Sequence, residues 1–171
     1  FALGTRLTSG AKLPGLIRPA LQRLSDVTGE TAIAGVLSQG QDSVIYVDKS
    51  ESLNPMRYTA TIGEHRELYC TALGRLALAY MGTEQQHRCV ASLVLQPITN
   101  ATVTSRRALL SRLRTIRASG LSVVKDERIV GACGVAAPVL SPAGSFIAGL
   151  AIIGPTPRIQ PRLEAFGREV A

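Results

Sequence analysis

The sequence contains no tryptophan, and aromatic residues make up only 4% of its 171 residues. Proteins that bind single-stranded nucleic acid stack bases on aromatic side chains, so this scarcity argues against such a platform. No apolar run approaches the roughly 20 residues needed to cross a membrane, and the N-terminal FALGTRLTSG lacks the pattern of a signal peptide. We therefore expect a cytoplasmic protein with no membrane partner.

Cysteine and histidine are also few. The three cysteines, Cys70, Cys89 and Cys133, are odd in number and include no CxxC pair, which argues against a disulfide framework or a structural zinc site. His65 and His87 have no carboxylate or cysteine at the spacing of metal ligands. We predict reduced, mostly buried thiols, and neither a metal nor a cofactor.

The length and the 46% hydrophobic content suit one domain with one substantial core. The first residue is Phe1 and not methionine. We therefore expect that the chain was cut from a longer protein, with a partner domain on its N-terminal side.

The net charge of +7 raises the possibility of nucleic-acid binding, but only one basic cluster stands out. Its members are Arg106, Arg107, Arg112, Arg114 and Arg117. Leu109, Leu113 and Ile116 recur between them at helical spacing. The pattern therefore predicts an amphipathic helix whose arginines form the solvated face.

The first third of the chain predicts a helix followed by strands. Residues 13–28 place apolar side chains at helical spacing, with Gly29 as the stop. The predicted buried face is Leu16, Ile17, Ala20, Leu21, Leu24 and Val27. The runs TAIAGVL and SVIYVDK, separated by SQGQD, predict a hairpin, and MRYTATI predicts a third strand ending at Gly63.

The middle of the chain predicts three helices. Thr71 is suited to cap the first, which has an apolar stripe and ends at Gly82. Thr83 and Gln86 resemble a capping box for a short second helix. Thr104 is the predicted cap of the arginine-bearing helix, which stops at Gly120.

The last third contains the apolar runs LSVVKD, GACGVAAPVL and SFIAGLAIIG, which predict strands, the latter two joined by the turn SPAG at the centre of a sheet. A final helix is predicted from Pro161. The order of elements predicts an α+β domain in which helices pack on an antiparallel-rich sheet.

No catalytic set is evident, because a nucleophile needs a base beside it and the sequence places neither histidine next to a thiol. A thiol-dependent enzyme using Cys70 or Cys133 remains the alternative at this point. The remaining feature is the strand–helix junction at residues 69–75, where unpaired backbone N–H groups could meet an anion.

The segment CTALGRLALAYM is similar to the TALGKALLA signature of the effector-binding domain of IclR-family bacterial transcription regulators. The blocks LQRLSDVTGET, VIYVDKSES, IRASGLSVVKDE and VAAPVLSPAGSFIAGLAIIGP resemble the corresponding family blocks in the same order. The N-terminal FALGTRL resembles the linker helix after the family's DNA-binding winged helix. The resemblance covers essentially all of the chain.

This resemblance implies a GAF-like effector-binding domain over residues 13–171, preceded at residues 1–12 by the end of the linker helix. The implied partners are a small-molecule effector and, through an N-terminal winged helix-turn-helix domain absent from this chain, operator DNA. Regulators of this plan resemble homodimers or homotetramers, since palindromic operators match two-fold symmetry. A mainly oligomerising role is a further alternative.

Carried over position by position, the resemblance implies a pocket between the sheet and the junction at Thr71. The implied lining residues are Met56, Tyr58, Leu68, Ala72, Leu73, Val124, Glu127, Ala132, Gly134, Ala151 and Ile153. Family members that bind small keto acids resemble SxSG where this chain has AIIG, so Ala151 and Ile153 replace two hydroxyl donors. We therefore expect an aromatic or acyl ligand with one polar head, and neither glyoxylate nor pyruvate.

Overall fold

The computed structural model describes residues 13–170, without the side chains of residues 13, 14 and 16. The predicted linker helix at residues 1–12 and the predicted burial of Leu16 lie outside this description. The helices are α1 (Leu13–Thr28), α2 (Ala72–Tyr80), α3 (Thr83–Ser92), α4 (Arg106–Ser119), α5 (Thr156–Ile159) and α6 (Leu163–Val170). The strands are β1 (Thr31–Leu37), β2 (Ser43–Ser50), β3 (His65–Glu67), β4 (Ser122–Lys125), β5 (Ala132–Leu140) and β6 (Phe146–Pro155).

The six strands form one sheet in the order β3-β2-β1-β6-β5-β4, and every neighbouring pair is antiparallel. This arrangement confirms the predicted α+β class and the predicted hairpin of β1 and β2. The predicted sheet centre was half right, because β6 is central but its other central neighbour is β1. Strand β5 lies one position further out, between β6 and β4.

The sheet is covered on both faces, so the domain has three layers. Alternate residues of β1 show this, since Ala32 and Ala34 face the layer of α1 and α6, whereas Ile33 faces the layer of α2 and α4. All three side chains are fully buried. The strands are therefore apolar on both sides, which explains the continuous apolar runs in the last third of the sequence.

Helix α1 buries a slightly different face from the predicted one. Ile17, Leu21 and Leu24 are buried as expected, but Ala20 and Val27 face solvent. Thr28 takes the last position of the buried face, where its hydroxyl donates to the carbonyl of Leu24 at 2.5 Å. A polar side chain is tolerated there because it is hydrogen-bonded within the helix.

The strand predicted at residues 56–62 is wrong, because those residues have no strand neighbour. Side chains from β1 and β2 hold the segment instead: the Thr31 hydroxyl donates to the carbonyl of Tyr58 at 2.7 Å, and the Lys49 ammonium to that of Ala60 at 2.6 Å. Gly63, with φ of 84°, turns the chain back so that β3 can pair with β2. Such bonds depend on tertiary structure, so periodicity does not reveal them.

Two of the predicted helix caps differ from the structure by small shifts. Ser105, and not Thr104, caps α4, and its hydroxyl accepts a bond from the backbone N–H of Ala108. The expected capping box of α3 is absent, because the side chain of Gln86 donates instead to the carbonyl of Leu78 at 2.8 Å. Leu109, Leu113 and Ile116 of α4 are buried and its arginines are exposed, as predicted.

Candidate functional site

Helix α2 begins at the predicted junction. Thr71 is its N-cap: the hydroxyl accepts from the backbone N–H of Gly74 at 3.1 Å and donates to the carbonyl of Glu67 at 2.7 Å. Every residue from Ala72 to Ala79 is buried, so α2 lacks the solvent face of an ordinary amphipathic helix. The first turn of α2 contributes Ala72 to the lining of a cavity.

A cavity of about 50 Å³ lies between this helix start, β4, β5, β6 and the segment around Tyr58. Seven of the predicted site residues line it: Tyr58, Ala72, Val124, Glu127, Ala132, Gly134 and Ile153. They come from five separate parts of the chain, and the fold brings them together. Five of these seven are apolar or have no side chain beyond Cβ.

Four predicted residues lie outside this lining. Met56 is 73% exposed, and Leu68 is fully buried in the core. The side chain of Leu73 points to the sheet, where it packs over the paired glycines Gly35 and Gly149. Ala151 is fully buried beneath α2.

The cavity also contains six residues outside the predicted lining, although two of them belong to the predicted junction at residues 69–75 and both thiols were considered from the sequence as nucleophiles. They are Tyr46, Cys70, Thr71, Arg128, Ile129 and Cys133. Tyr46 could have been found, because it lies on the predicted strand β2, where buried positions alternate with partly buried ones. Arg128 and Ile129 belong to the loop between β4 and β5, whose path depends on tertiary contacts, so no periodicity indicates them.

Glu127 lines the cavity but is already paired. Glu127 is only 3% exposed. Its carboxylate forms a two-bond ion pair with the fully buried guanidinium of Arg75 on α2. Arg75 also donates through Nε to the carbonyl of Tyr69 at 2.7 Å, and Glu127 accepts from the backbone N–H of Val103 at 3.1 Å. The pair therefore ties the β4–β5 loop to α2.

Both ends of this loop are fixed by further hydrogen bonds. The Asp126 carboxylate accepts from the Thr156 hydroxyl at 2.8 Å and from the backbone N–H of Gly131 at 2.9 Å. The hydroxyl of Thr102 donates to the carbonyl of Glu127 at 2.6 Å. Ile129 and Val130, at the apex, are 41% and 79% exposed.

Tyr46 belongs to the cavity lining and is 2% exposed. Burial, with the nearby phenol of Tyr58 as a second cause, raises the pKa of Tyr46 above its ordinary value. The guanidinium of Arg66 lies 5.8 Å from the centre of the Tyr46 ring. Tyr46 therefore stays neutral across the physiological range and can offer a ligand only an uncharged O–H group.

The two cavity thiols are in an environment that suppresses their reactivity. Burial raises the pKa of Cys70 to about 12 and that of Cys133 to about 11. A nucleophilic cysteine requires a lowered pKa, because the thiolate is the reactive species. These values argue against the alternative of a thiol-dependent enzyme.

Cysteine labelling provides a direct check. At pH 7.5 we expect a thiol reagent such as dithionitrobenzoate to modify neither Cys70 nor Cys133 in the folded domain, and the reaction to speed up as the pH rises toward 10. Partly exposed Cys89 should react first. Unfolding in guanidinium chloride should make all three thiols react together, which supplies the control. Rapid modification of Cys70 in the native domain would contradict the burial argument.

The described residues, 13–170, contain no group of three or more His, Cys, Asp or Glu side chains that could hold a metal ion. His65 is instead hydrogen-bonded through Nδ1 to the hydroxyl of Ser43 at 2.8 Å. Over the same part of the chain, no helix has both the length and the apolar character needed to cross a membrane.

Comparison with known proteins agrees with this fold. Residues 5–169 match the family described as bacterial transcriptional regulator IclR C-terminal. The regulator BhcR of Paracoccus denitrificans is 34% identical over 93% of this chain and 56% of its own length. KdgR of Escherichia coli is 32% identical over 97% of this chain and 63% of its own length. The chain thus spans about half to two thirds of the length of these curated relatives.

Solved structures show the same architecture. The C-terminal domain of Escherichia coli KdgR superposes with a TM-score of 0.78 at 32% identity, covering 91% of both chains. The inducer-binding domain of PobR from Acinetobacter, solved as a double mutant in complex with 3-hydroxybenzoic acid, has a TM-score of 0.78 at 24% identity and covers 92% of this chain and 94% of its own.

The fold is that of the effector-binding domain of a transcription regulator. The chain belongs to the IclR family, as the C-terminal effector-binding domain, with its GAF-like α+β fold. Its relatives are transcriptional regulators and not enzymes, which agrees with the prediction that the chain has no catalytic set.

Proposed function

We propose that this domain binds a small organic acid in the cavity at the start of α2, and thereby controls an N-terminal winged helix-turn-helix domain that binds operator DNA. Residues 1–12 would form the end of the linker helix, and residues 13–171 the effector-binding domain. The whole regulator would act in the cytoplasm as a homodimer or homotetramer. The main support is that seven residues carried over from the family's pocket line one cavity.

The proposed ligand is an aromatic or acyl compound with one polar head. The backbone N–H groups of Ala72 and Leu73 lie in the first turn of α2, where an anionic or polar head is favoured. Val124 and Ile153 supply an apolar wall for the body of the ligand. The wall offers no hydroxyl at Ile153, so a small keto acid would lose hydrogen bonds there.

The size of the cavity adds a condition. An apolar cavity of about 150 Å³ holds benzene, and this cavity measures about 50 Å³. Hexanoate and benzoate both have more non-hydrogen atoms than benzene, so either ligand requires this cavity to widen. The exposed apex of the β4–β5 loop, at Ile129 and Val130, is the part of the wall that we propose moves outward. The fold itself accommodates aromatic acids, as the PobR complex with 3-hydroxybenzoic acid illustrates.

Thermal unfolding of the domain with a panel of acids tests this proposal. We expect hexanoate or benzoate to raise the melting temperature, and glyoxylate and pyruvate to leave it unchanged. A ligand at about 100 times its Kd contributes about 2.7 kcal/mol, which corresponds to roughly 5 to 10 °C for a domain of this size. Stabilisation by glyoxylate or pyruvate alone would contradict the proposed ligand class.

The variant Ile153→Ser is the matched test of the lining. It is expected to weaken binding of the stabilising acid, because a hydroxyl replaces part of the apolar wall and is left without a partner. Val123→Ser is a suitable control, since Val123 is 39% exposed and lies outside the cavity lining. Equal affinity of the Ile153→Ser variant and the unmodified domain would count against Ile153 as a ligand contact.

A further inference from the structure

The cavity lining contains two charged side chains, Glu127 and Arg128, and they differ in how far their hydrogen-bonding capacity is used. Both carboxylate oxygens of Glu127 are occupied by Arg75, and one also accepts the N–H of Val103. Arg128 donates through Nε to Glu67 Oε2 at 2.7 Å. Its two terminal nitrogens form no hydrogen bond with any residue in the described range 13–170.

A guanidinium has two edges that can each bind a carboxylate. One edge carries the Nε–H and a terminal N–H, and the other carries one N–H from each terminal nitrogen. In Arg128 the contact to Glu67 uses the Nε side, so the outer edge remains available for a second carboxylate in a two-bond arrangement. The Arg128 side chain is 29% exposed, so its charge is partly desolvated without being sealed in the core.

The helix start at Ala72 also favours an anion, and the single polar head of the proposed ligand meets it together with Arg128. The other side chains of the lining cannot hold a second charge. Arg75 faces Glu127 and donates its other hydrogen bond to the carbonyl of Tyr69, so it has no role toward a ligand. Tyr46 stays neutral, and Val124 and Ile153 are apolar. A ligand with two carboxylates would therefore place one of them against apolar side chains, which is strongly unfavourable.

We propose that Arg128 is the residue that recognises the acidic head of the effector, and that it selects monocarboxylates over both neutral analogues and dicarboxylates. Glu67 holds Arg128 in place through its Nε and leaves the outer edge of the guanidinium to the ligand. This inference rests on the proposed function, because it assumes that the effector occupies the cavity. It goes beyond the proposed function by specifying the charge of the ligand and the side chain that binds that charge.

Isothermal titration in a carboxylate-free buffer tests the inference with three compounds of equal chain length: hexanoate, hexanamide and adipate. The unmodified domain is expected to bind hexanoate about 10- to 100-fold more tightly than hexanamide, which matches the loss of charge-assisted hydrogen bonds. Adipate is expected to bind more weakly than hexanoate. The variant Arg128→Gln should lose hexanoate affinity by a similar factor and keep its hexanamide affinity within about threefold.

Two further variants separate the role of Arg128 from a general loss of positive charge or of folding. Arg57→Gln removes a half-exposed, ion-paired arginine outside the lining, and it should leave hexanoate binding unchanged. Glu67→Gln removes the anion that competes with the ligand, and it should tighten hexanoate binding severalfold without affecting hexanamide. Circular dichroism and thermal unfolding check that each variant folds.

The possible outcomes are distinguishable. Equal hexanoate affinity in Arg128→Gln and in the unmodified domain, or equal binding of hexanoate and hexanamide, would each overturn the role of Arg128 while leaving the cavity as the effector site. Failure of the unmodified domain to bind either hexanoate or hexanamide would reject the acyl ligand itself, and the inference about Arg128 with it.

Discussion

Replacing Arg75 with methionine is expected to lower the free energy of unfolding by about 3 to 5 kcal/mol, because the buried carboxylate of Glu127 then keeps only the half-exposed guanidinium of Arg112, 4.0 Å away, in place of its two-bond partner. The guanidinium is fully buried, makes two bonds to Glu127 and donates a third to the carbonyl of Tyr69. Methionine fills most of the same volume, so the loss comes from the charge and not from a cavity. Urea unfolding measures it, and the melting temperature should fall by about 10 °C.

The double variant Arg75→Met/Glu127→Leu is the decisive comparison. Removing both charges eliminates the poorly paired carboxylate, so most of the lost stability should return, although Val103 then lacks an acceptor for its N–H. Arg88→Met is the surface control: Arg88 is 73% exposed and pairs with Glu84 across one helical turn, and its loss should cost less than about 0.5 kcal/mol. A double variant no more stable than the single one would contradict this account.

Substituting Gly74 with alanine is expected to destabilise the domain by about 3 kcal/mol, at the upper end of the usual cost of overpacking. A Cβ at this position would lie 2.4 Å from the carbonyl oxygen of Glu67 and 2.6 Å from the Cα of Leu68. Both are backbone atoms, which cannot rotate away as a side chain can. Helix α2 would have to move away from the chain that precedes it, and the cap at Thr71 would be strained.

Gly15→Ala is the control for this substitution. Gly15 is an exposed residue of α1, and a Cβ added there would meet no described atom within 4 Å. Alanine at this position should leave stability unchanged or raise it by up to about 1 kcal/mol, because alanine favours the helix. Chemical denaturation of both variants gives the comparison. A Gly74→Ala domain as stable as the Gly15→Ala domain would show that α2 can shift at little cost.

Gly35 and Gly149, a cross-strand pair in the sheet, are also positions where the packing leaves no room for a Cβ atom. These two residues lie opposite each other on β1 and β6, and a Cβ on either would meet a methyl group of Leu73. The small residues let α2 approach the sheet closely enough to bury Leu73. The resemblance implied that the backbone N–H of Leu73 faces the cavity. In the structure its side chain is buried in the core.

Much of the local structure follows from neighbouring residues. The start of α2 at Thr71 depends on one hydroxyl and the three N–H groups after it, and the exposed arginines of α4 depend on the spacing of Leu109, Leu113 and Ile116. The hairpin of β1 and β2 likewise depends on two short runs and the turn between them. These features involve residues close together in the chain, so the sequence is sufficient to predict them.

The sequence was not sufficient where a residue depends on a distant partner. Residues 56–62 have β propensity, yet hydrogen bonds from Thr31 and Lys49 replace a strand ladder there. The backbone groups there find partners that periodicity cannot reveal. The cap of α4 was missed for a local reason instead, because Thr104 and Ser105 are adjacent hydroxyl residues and either type can cap a helix.

By itself, the sequence determined the α+β class, the single domain and the family of the effector-binding domain, together with the helix start that faces the cavity. The resemblance gave seven residues of the cavity lining, and only the tertiary structure decided the others. It paired Arg75 with Glu127 and Arg128 with Glu67, residues separated by 52 and 61 positions in the chain. The physical reason is that a buried charge must find a partner in space, and the fold, not the spacing in the sequence, brings that partner within bonding distance.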